Sequence, residues 1–159
     1  MMQLPRLDNY TKFADADIKL CKFGGIACYV KDVLAYHIFQ IKYHPSHISF
    51  RIDICPKFIF IGVYLQPEGA HYFNINMFSN LAKTIIDCHL KGLIPFIVGD
   101  FNSRPGHLES LSNGEWKYGT NKDIKVNKHG RTFFRDLCFA GNVKPVNGLI
   151  YGSRCFYSW

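Results

Sequence analysis

Two apolar runs, FIFIGVYL at Phe58–Leu65 and LIPFIV at Leu93–Val98, enclose a stretch in which Phe78, Leu81, Ala82, Ile85 and Cys88 recur at helical spacing. Runs of six to eight apolar residues are the length of strands, and near-continuous apolarity predicts burial on both faces. Asn74 or Asn76 is placed to cap the helix and Gly92 to end it. Strand, helix and strand form a βαβ unit, whose two strands should run parallel with a right-handed crossover. The loop after Val98 then opens at the carboxyl end of a central strand, where α/β folds usually hold their chemistry.

Other segments are patterned less strongly. Between His47 and Ile54, Ile48, Phe50, Ile52 and Ile54 alternate with Ser49, Arg51 and Asp53, which predicts a half-exposed antiparallel strand ended by Pro56. Gly25–Val30 and Val33–Ile41 are further strand candidates, whereas the first twenty residues are polar and weakly patterned. The stretch 102–127 reads as loop. A second helix with Phe133, Phe134, Leu137 and Cys138 on its apolar side should stop at Gly141. Val143–Val146 suits a short strand and Ile150–Trp159 a longer one, whose aromatic pattern is cut at Trp159.

A chain of 159 residues without repeats or a linker predicts a single domain over 1–159. With 48% hydrophobic and 19% charged residues it can bury a core. No run approaches the ~20 apolar residues of a membrane helix, and MMQLPRLDNYTKF lacks the apolar centre of a signal peptide. Six cysteines without a CxxC pair read as reduced thiols. The expectation is an intracellular protein off the membrane, nuclear placement included. GxSxG, Walker and GxGxxG motifs are absent, which removes serine hydrolases, P-loop enzymes and dinucleotide binders. His44 and His47 are too few for zinc, and His37 and His89 read as structural.

The sharpest chemical feature is Gly99-Asp100-Phe101-Asn102, directly after LIPFIV. Asp100 would stand at the strand mouth, and Asn102 would point to the same side if the backbone stays extended. A carboxylate there can accept a proton from water or ligate a cation, and an amide can donate to a phosphoryl oxygen as charge builds. An ordinary turn is the alternative, since Gly, Asp and Asn dominate turns. Tyr64 ends the preceding strand, so its phenol and Asp100 should enter one cleft; the alternative is a rim tyrosine.

The blocks Gly24-Gly25-Ile26-Ala27, Tyr64-Leu65-Gln66-Pro67, Gly99-Asp100-Phe101-Asn102, HGRTFFRDLC from His129 and the terminal CFYSW resemble, in matching order, the endonuclease/exonuclease/phosphatase family. The likeness is greatest to the abasic-endonuclease-like domain that precedes reverse transcriptase in non-LTR retrotransposons. It implies a fold of the α/β (α+β) class, a four-layer α/β/β/α sandwich. It also implies Mg²⁺- or Mn²⁺-dependent attack of water on a phosphodiester. Asp100 would position and activate the water, Asn102 would hold the phosphate, and Tyr64 would bind a non-bridging oxygen.

The family's metal-binding Glu, in an E-T strand, and its late Asp and terminal Ser-Asp-His have no match here. The resemblance therefore implies a sandwich incomplete at both ends, with no complete metal site. Losing one electrostatic group at a transition state commonly costs ~10²–10³ in rate. The fragment should be weak or inactive alone, and its exposed sheet edges should favour self-association.

Nineteen Lys and Arg against twelve Asp and Glu leave a net charge of +7, which suits nucleic acid. Lys117, Lys122, Lys125, Lys128, Arg131 and Arg135 face one acid, Asp123, in the stretch after the candidate site. Lys128 and Arg131 are thus candidate substrate contacts, with a solvated loop as the alternative. Arg104 could meet phosphate or cap its turn, and Asn127 could cap a helix or touch substrate. The expected partner is nucleic acid, DNA before RNA. The alternatives are a phosphatase or RNA nuclease of the same fold, or a non-catalytic nucleic-acid-binding remnant.

Overall fold

The computed structural model describes residues 7–14, 26–70, 76–104, 125–132, 136–138 and 141–143. The chain divides into two compact units, Met1–Phe101 and Asn102–Trp159. The first is a mixed α+β structure with a two-stranded and a four-stranded sheet.

Strand β1 (Tyr10–Ala14) pairs antiparallel with β2 (Ala27–Lys31). The first of these lies in the stretch whose sequence is polar and weakly patterned. Only Phe13 and Ala14 in YTKFA are strongly apolar, so its periodicity is faint, and the ladder to β2 supplies what propensity lacks. Residues expected to begin a strand at Val33 instead form one helical turn, α1 (Asp32–Ala35), before β3 (Ile38–His44). The Asp32 N–H donates to the Asn9 carbonyl, and the Asp32 carboxylate accepts from the Thr11 hydroxyl at 2.8 Å. These bonds hold the turn against β1.

The larger sheet has the order β3-β4-β5-β6, with β4 at His47–Ile52, β5 at Phe58–Tyr64 and β6 at Ile94–Asp100. The β3–β4 and β4–β5 pairs are antiparallel, and β5–β6 is parallel. Helix α2 (Met77–Leu90) connects the parallel strands as its spacing predicts. It buries Met77, Phe78, Leu81, Ile85 and Cys88. Asn76 stands at its N-cap, where its carbonyl accepts from Asn80 N–H and from the Ser79 hydroxyl; its side chain makes no capping bond to the helix. Gly92, at φ 67, lets the chain leave the helix in a conformation that other residues resist.

The helix covers one face of the sheet. His47, Ser49, Ile61 and Val63 share that face by register and are buried. His47 Nε2 lies 3.1 Å from Thr84 Oγ1 on α2, and His47 Nδ1 lies 3.2 Å from Ser46 Oγ. Thr84 commits its proton to the Asn80 carbonyl. Nε2 is therefore the donor, which leaves Nδ1 as a bare acceptor for the Ser46 hydroxyl.

The opposite face corrects the expectation that both apolar runs are buried twice over. In β6, Ile94, Phe96 and Val98 are 48–52% exposed, while Pro95 and Ile97 on the helix side are half-buried. In β5, Ile61 and Val63 are buried but Phe60, Gly62 and Tyr64 only partly so. Apolarity reports what a residue would bury, not whether a neighbour is present to cover it. Phe50 stacks on Phe60, and Phe60 meets Phe96 edge-on, so this face holds a continuous aromatic row. Ile26, just before β2, reaches the Gly62 position beside Ile48. The strand expected from His47 ends at Ile52; Asp53 bonds back to His37 at 2.7 Å and Ile54 is exposed.

In the second unit, α3 (Lys128–Thr132) follows Asn127. Leu137 and Cys138 are buried as expected. Phe133, Phe134, most of the 102–127 loop, the short strand beyond Val143 and the strand at Ile150–Trp159 lie outside the described residues. Cys28, Cys55, Cys88 and Cys138 are free thiols. Burial pushes the Cys138 thiol up to about 12. Among the described residues no helix is long and apolar enough to cross a membrane.

Candidate active site at the strand ends

Two adjacent parallel strands release Tyr64 and Asp100 together. They are register partners, the last of the β5–β6 ladder, and so lie side by side on one face. The Leu65 N–H donates to the Asp100 carbonyl at 2.8 Å, and the Tyr64 N–H donates to the Ser46 carbonyl at 3.0 Å. The backbone beneath both side chains is thereby fixed from two neighbouring strands. Asp100 is exposed and Tyr64 half-buried. A carboxylate facing water beside a phenol held at the rim can accept a proton and donate a hydrogen bond to one anionic ligand.

Gly99 explains how β6 comes so close at this point. A Cβ built there would lie 1.9 Å from the Val63 carbonyl oxygen, and φ is 145. No side chain fits, so the glycine of the Gly-Asp-Phe-Asn sequence is demanded by the pairing that aligns Asp100 with Tyr64.

Asn102 belongs to the second unit, which begins with it. The condition under which it would share a side with Asp100, an extended backbone, fails. β6 ends at Asp100, and Asn102 takes φ 46, a left-handed conformation that asparagine tolerates. Its carbonyl accepts from Asn127 Nδ2 at 2.9 Å.

Asn127 proves to be an organising residue. Its Oδ1 accepts from the Arg104 N–H at 2.8 Å and from the Gly130 N–H at 2.7 Å. The second bond is an N-cap for α3, as one of the two sequence readings has it. The side chain therefore ties 102–104 to the helix start. Lys128 and Arg131 are exposed on α3, and Arg104 is exposed two residues after Asn102.

Among the described residues, no three His, Cys, Asp or Glu side chains come together as a metal site. A concavity of about 370 Å³ is lined by Asp8, Asn9, Tyr10, Lys31, Asp32 and Val33 beside β1 and β2, and it includes neither Tyr64 nor Asp100. Ser46, whose carbonyl secures Tyr64, carries no sequence signal beyond its place in a Pro-Ser turn.

The fold and this strand-end pair define a mixed α+β protein with a carboxylate–phenol pair on a parallel ladder. No family model, curated protein or solved structure matches the chain.

Proposed function

We propose that the chain is part of a metal-dependent phosphodiesterase of the endonuclease/exonuclease/phosphatase type, an incomplete four-layer sandwich from the DNA-nicking domain of a retrotransposon polyprotein. The observation that carries this reading is the register pairing of Tyr64 with Asp100 at the carboxyl ends of adjacent parallel strands. In this reading Asp100 takes the proton of the attacking water. Tyr64 donates to a non-bridging phosphoryl oxygen as charge builds on it. Asn127 acts as a positioning residue, since its amide is committed to the backbone around Asn102 and Arg104. Arg104, Lys128, Arg131 and the net charge of +7 favour a polyanionic substrate.

Mg²⁺ or Mn²⁺ would neutralise phosphoryl charge in the complete domain. The described residues do not fit such an ion, because Mg²⁺ needs near-octahedral oxygen ligation and no three candidate ligands converge. The activity of this chain alone is therefore expected to be weak or nil. The same observation favours a second reading, a nucleic-acid-binding remnant that has lost its chemistry.

A plasmid-nicking assay separates the two. Supercoiled DNA with Mg²⁺ or Mn²⁺ is incubated with this chain, its Asp100→Ala variant, and a form extended at both ends by the family's Glu-bearing strand and Ser-Asp-His segment. Only the extended form should nick, and Asp100→Ala should abolish that cleavage. Vigorous Asp100-dependent nicking by the 159-residue chain would show that the absent groups are dispensable. An inert extended form that binds DNA with a steep salt dependence would establish the binding remnant.

A further inference from the structure

The β3–β4 hairpin turns at Pro45-Ser46, and its tip lies on the same sheet edge as Tyr64 and Asp100. His47 pairs with Val63, Ser46 accepts from Tyr64 N–H, and Tyr64 pairs with Asp100, so one row runs from β3 to β6 along the strand ends. His44 closes that row on β3 opposite His47, with ring centroids 4.2 Å apart and planes 14° from parallel.

Lys42 sits two residues behind His44, and both are exposed on the side of the sheet that faces α2. Burial and then the Lys42 ammonium hold the His44 imidazole below its ordinary value, so the neutral ring is favoured and Lys42 is the cation of the pair. Among the described residues no carboxylate lies within ion-pair distance of Lys42. An exposed ammonium with no carboxylate in ion-pair reach is stabilised by an external anion.

We propose that Lys42 and His44 form a phosphate-contact site, engaging the nucleic-acid backbone that flanks the phosphate at Asp100. The inference rests on the phosphodiesterase reading of the strand ends and names where the rest of the strand lies. Three strand gaps of ~4.8 Å separate β6 from β3, about 14 Å. At one phosphate per ~3.4 Å of axis along a strand, this places His44 within about four nucleotides of Asp100. Lys42 lies ~7 Å behind the edge, a distance its four-carbon stem spans. Asp100 and Tyr64 stand on the other face of the same edge, so the backbone crosses the strand ends rather than running down one face.

The test is binding of a fluorescent DNA duplex to the full chain in metal-free buffer, read by anisotropy from 50 to 200 mM salt (about the range over which phosphate contacts are counted). Lys42→Gln should weaken binding about three- to tenfold and reduce the slope of log K against log salt by about 1. His44→Gln should weaken it less, and Lys42→Glu more than Lys42→Gln. Lys12→Gln, an exposed lysine on β1, serves as the reference and should change little. A Lys42→Gln effect no larger than that of Lys12→Gln overturns the proposal. Asp100→Asn, measured in parallel, should tighten metal-free binding about threefold by removing a like charge beside phosphate. If Asp100→Asn is silent while Lys42→Gln lowers the slope, the hairpin site stands and the reading of the strand ends falls. If Asp100→Asn tightens binding and Lys42→Gln is silent, the hairpin site falls alone.

Discussion

Gly99→Ala is expected to lower the melting temperature by about 6–12 °C, the loss of roughly 3 kcal/mol from a chain of this length. The added methyl would lie 1.9 Å from the Val63 carbonyl oxygen, a backbone atom that cannot swing aside. Strand β6 must then separate from β5 at the register Val63–Gly99, one residue before the Tyr64–Asp100 pair. Gly92→Ala provides the contrast. There φ is 67 but nothing lies within 4 Å of the new Cβ, so only conformational strain of about 1 kcal/mol applies. Thermal melts followed by far-ultraviolet circular dichroism would compare the two. Equal effects would mean that β5 and β6 are not in contact where Gly99 stands.

Acid should weaken the fold through His47. Its folded-state value is lowered from 6.5 to about 4, first by burial between β4 and α2 and second by the neighbouring His44. The folded state therefore favours the neutral ring, while the unfolded chain takes up a proton below 6.5. The stability that His47 contributes is complete above that pH and is lost as pH falls from 6.5 towards 4. The full loss is about 3 kcal/mol, a large share of the 5–15 kcal/mol typical of a domain. The Thr84–His47–Ser46 chain is also consistent only with the neutral tautomer, because protonated Nδ1 would point a donor at the Ser46 hydroxyl and force it to turn. Urea midpoints from pH 7.5 to 4 would show the decline. In His47→Gln the midpoint should start lower at neutral pH and flatten with pH. An unchanged slope in that variant would place the acid sensitivity elsewhere.

The sequence reveals the central βαβ unit because three independent signals agree there: two short apolar runs, a helical face through Leu81 and Ile85, and Gly92 as its stop. That the two runs pair in parallel and bring Tyr64 and Asp100 to one cleft follows from that unit; their being register partners is shown by the structure. Strand β1 is hidden because Lys12 and Thr11 break its pattern, and its ladder to β2 forms between residues thirteen or more apart in the chain. α1 is hidden because Asp32–Ala35 is a single turn within a strand-like stretch. The half-open face of β6 is hidden for a different reason: Ile94, Phe96 and Val98 have the composition of a buried strand, and only the three-dimensional structure shows that α2 covers one side.

The candidate site is legible to a similar degree. Asp100 and Tyr64 can be located from strand ends, and Asn127 from its place before α3. The left-handed turn at Asn102 has no signature beyond the residue's tolerance for it, and the demand for Gly99 depends on the Val63 carbonyl, thirty-six positions earlier. Neither is visible to a local pattern.

The most direct measurement is an amide ¹⁵N–¹H spectrum of the 159-residue chain titrated with a short DNA duplex. Resonances of Tyr64, Leu65 and Asp100 should shift together and reach half-saturation at one concentration, since those residues share one ladder end. Shifts confined to residues such as Asp8, Lys31 and Val33, with Tyr64 and Asp100 unmoved, would contradict the account.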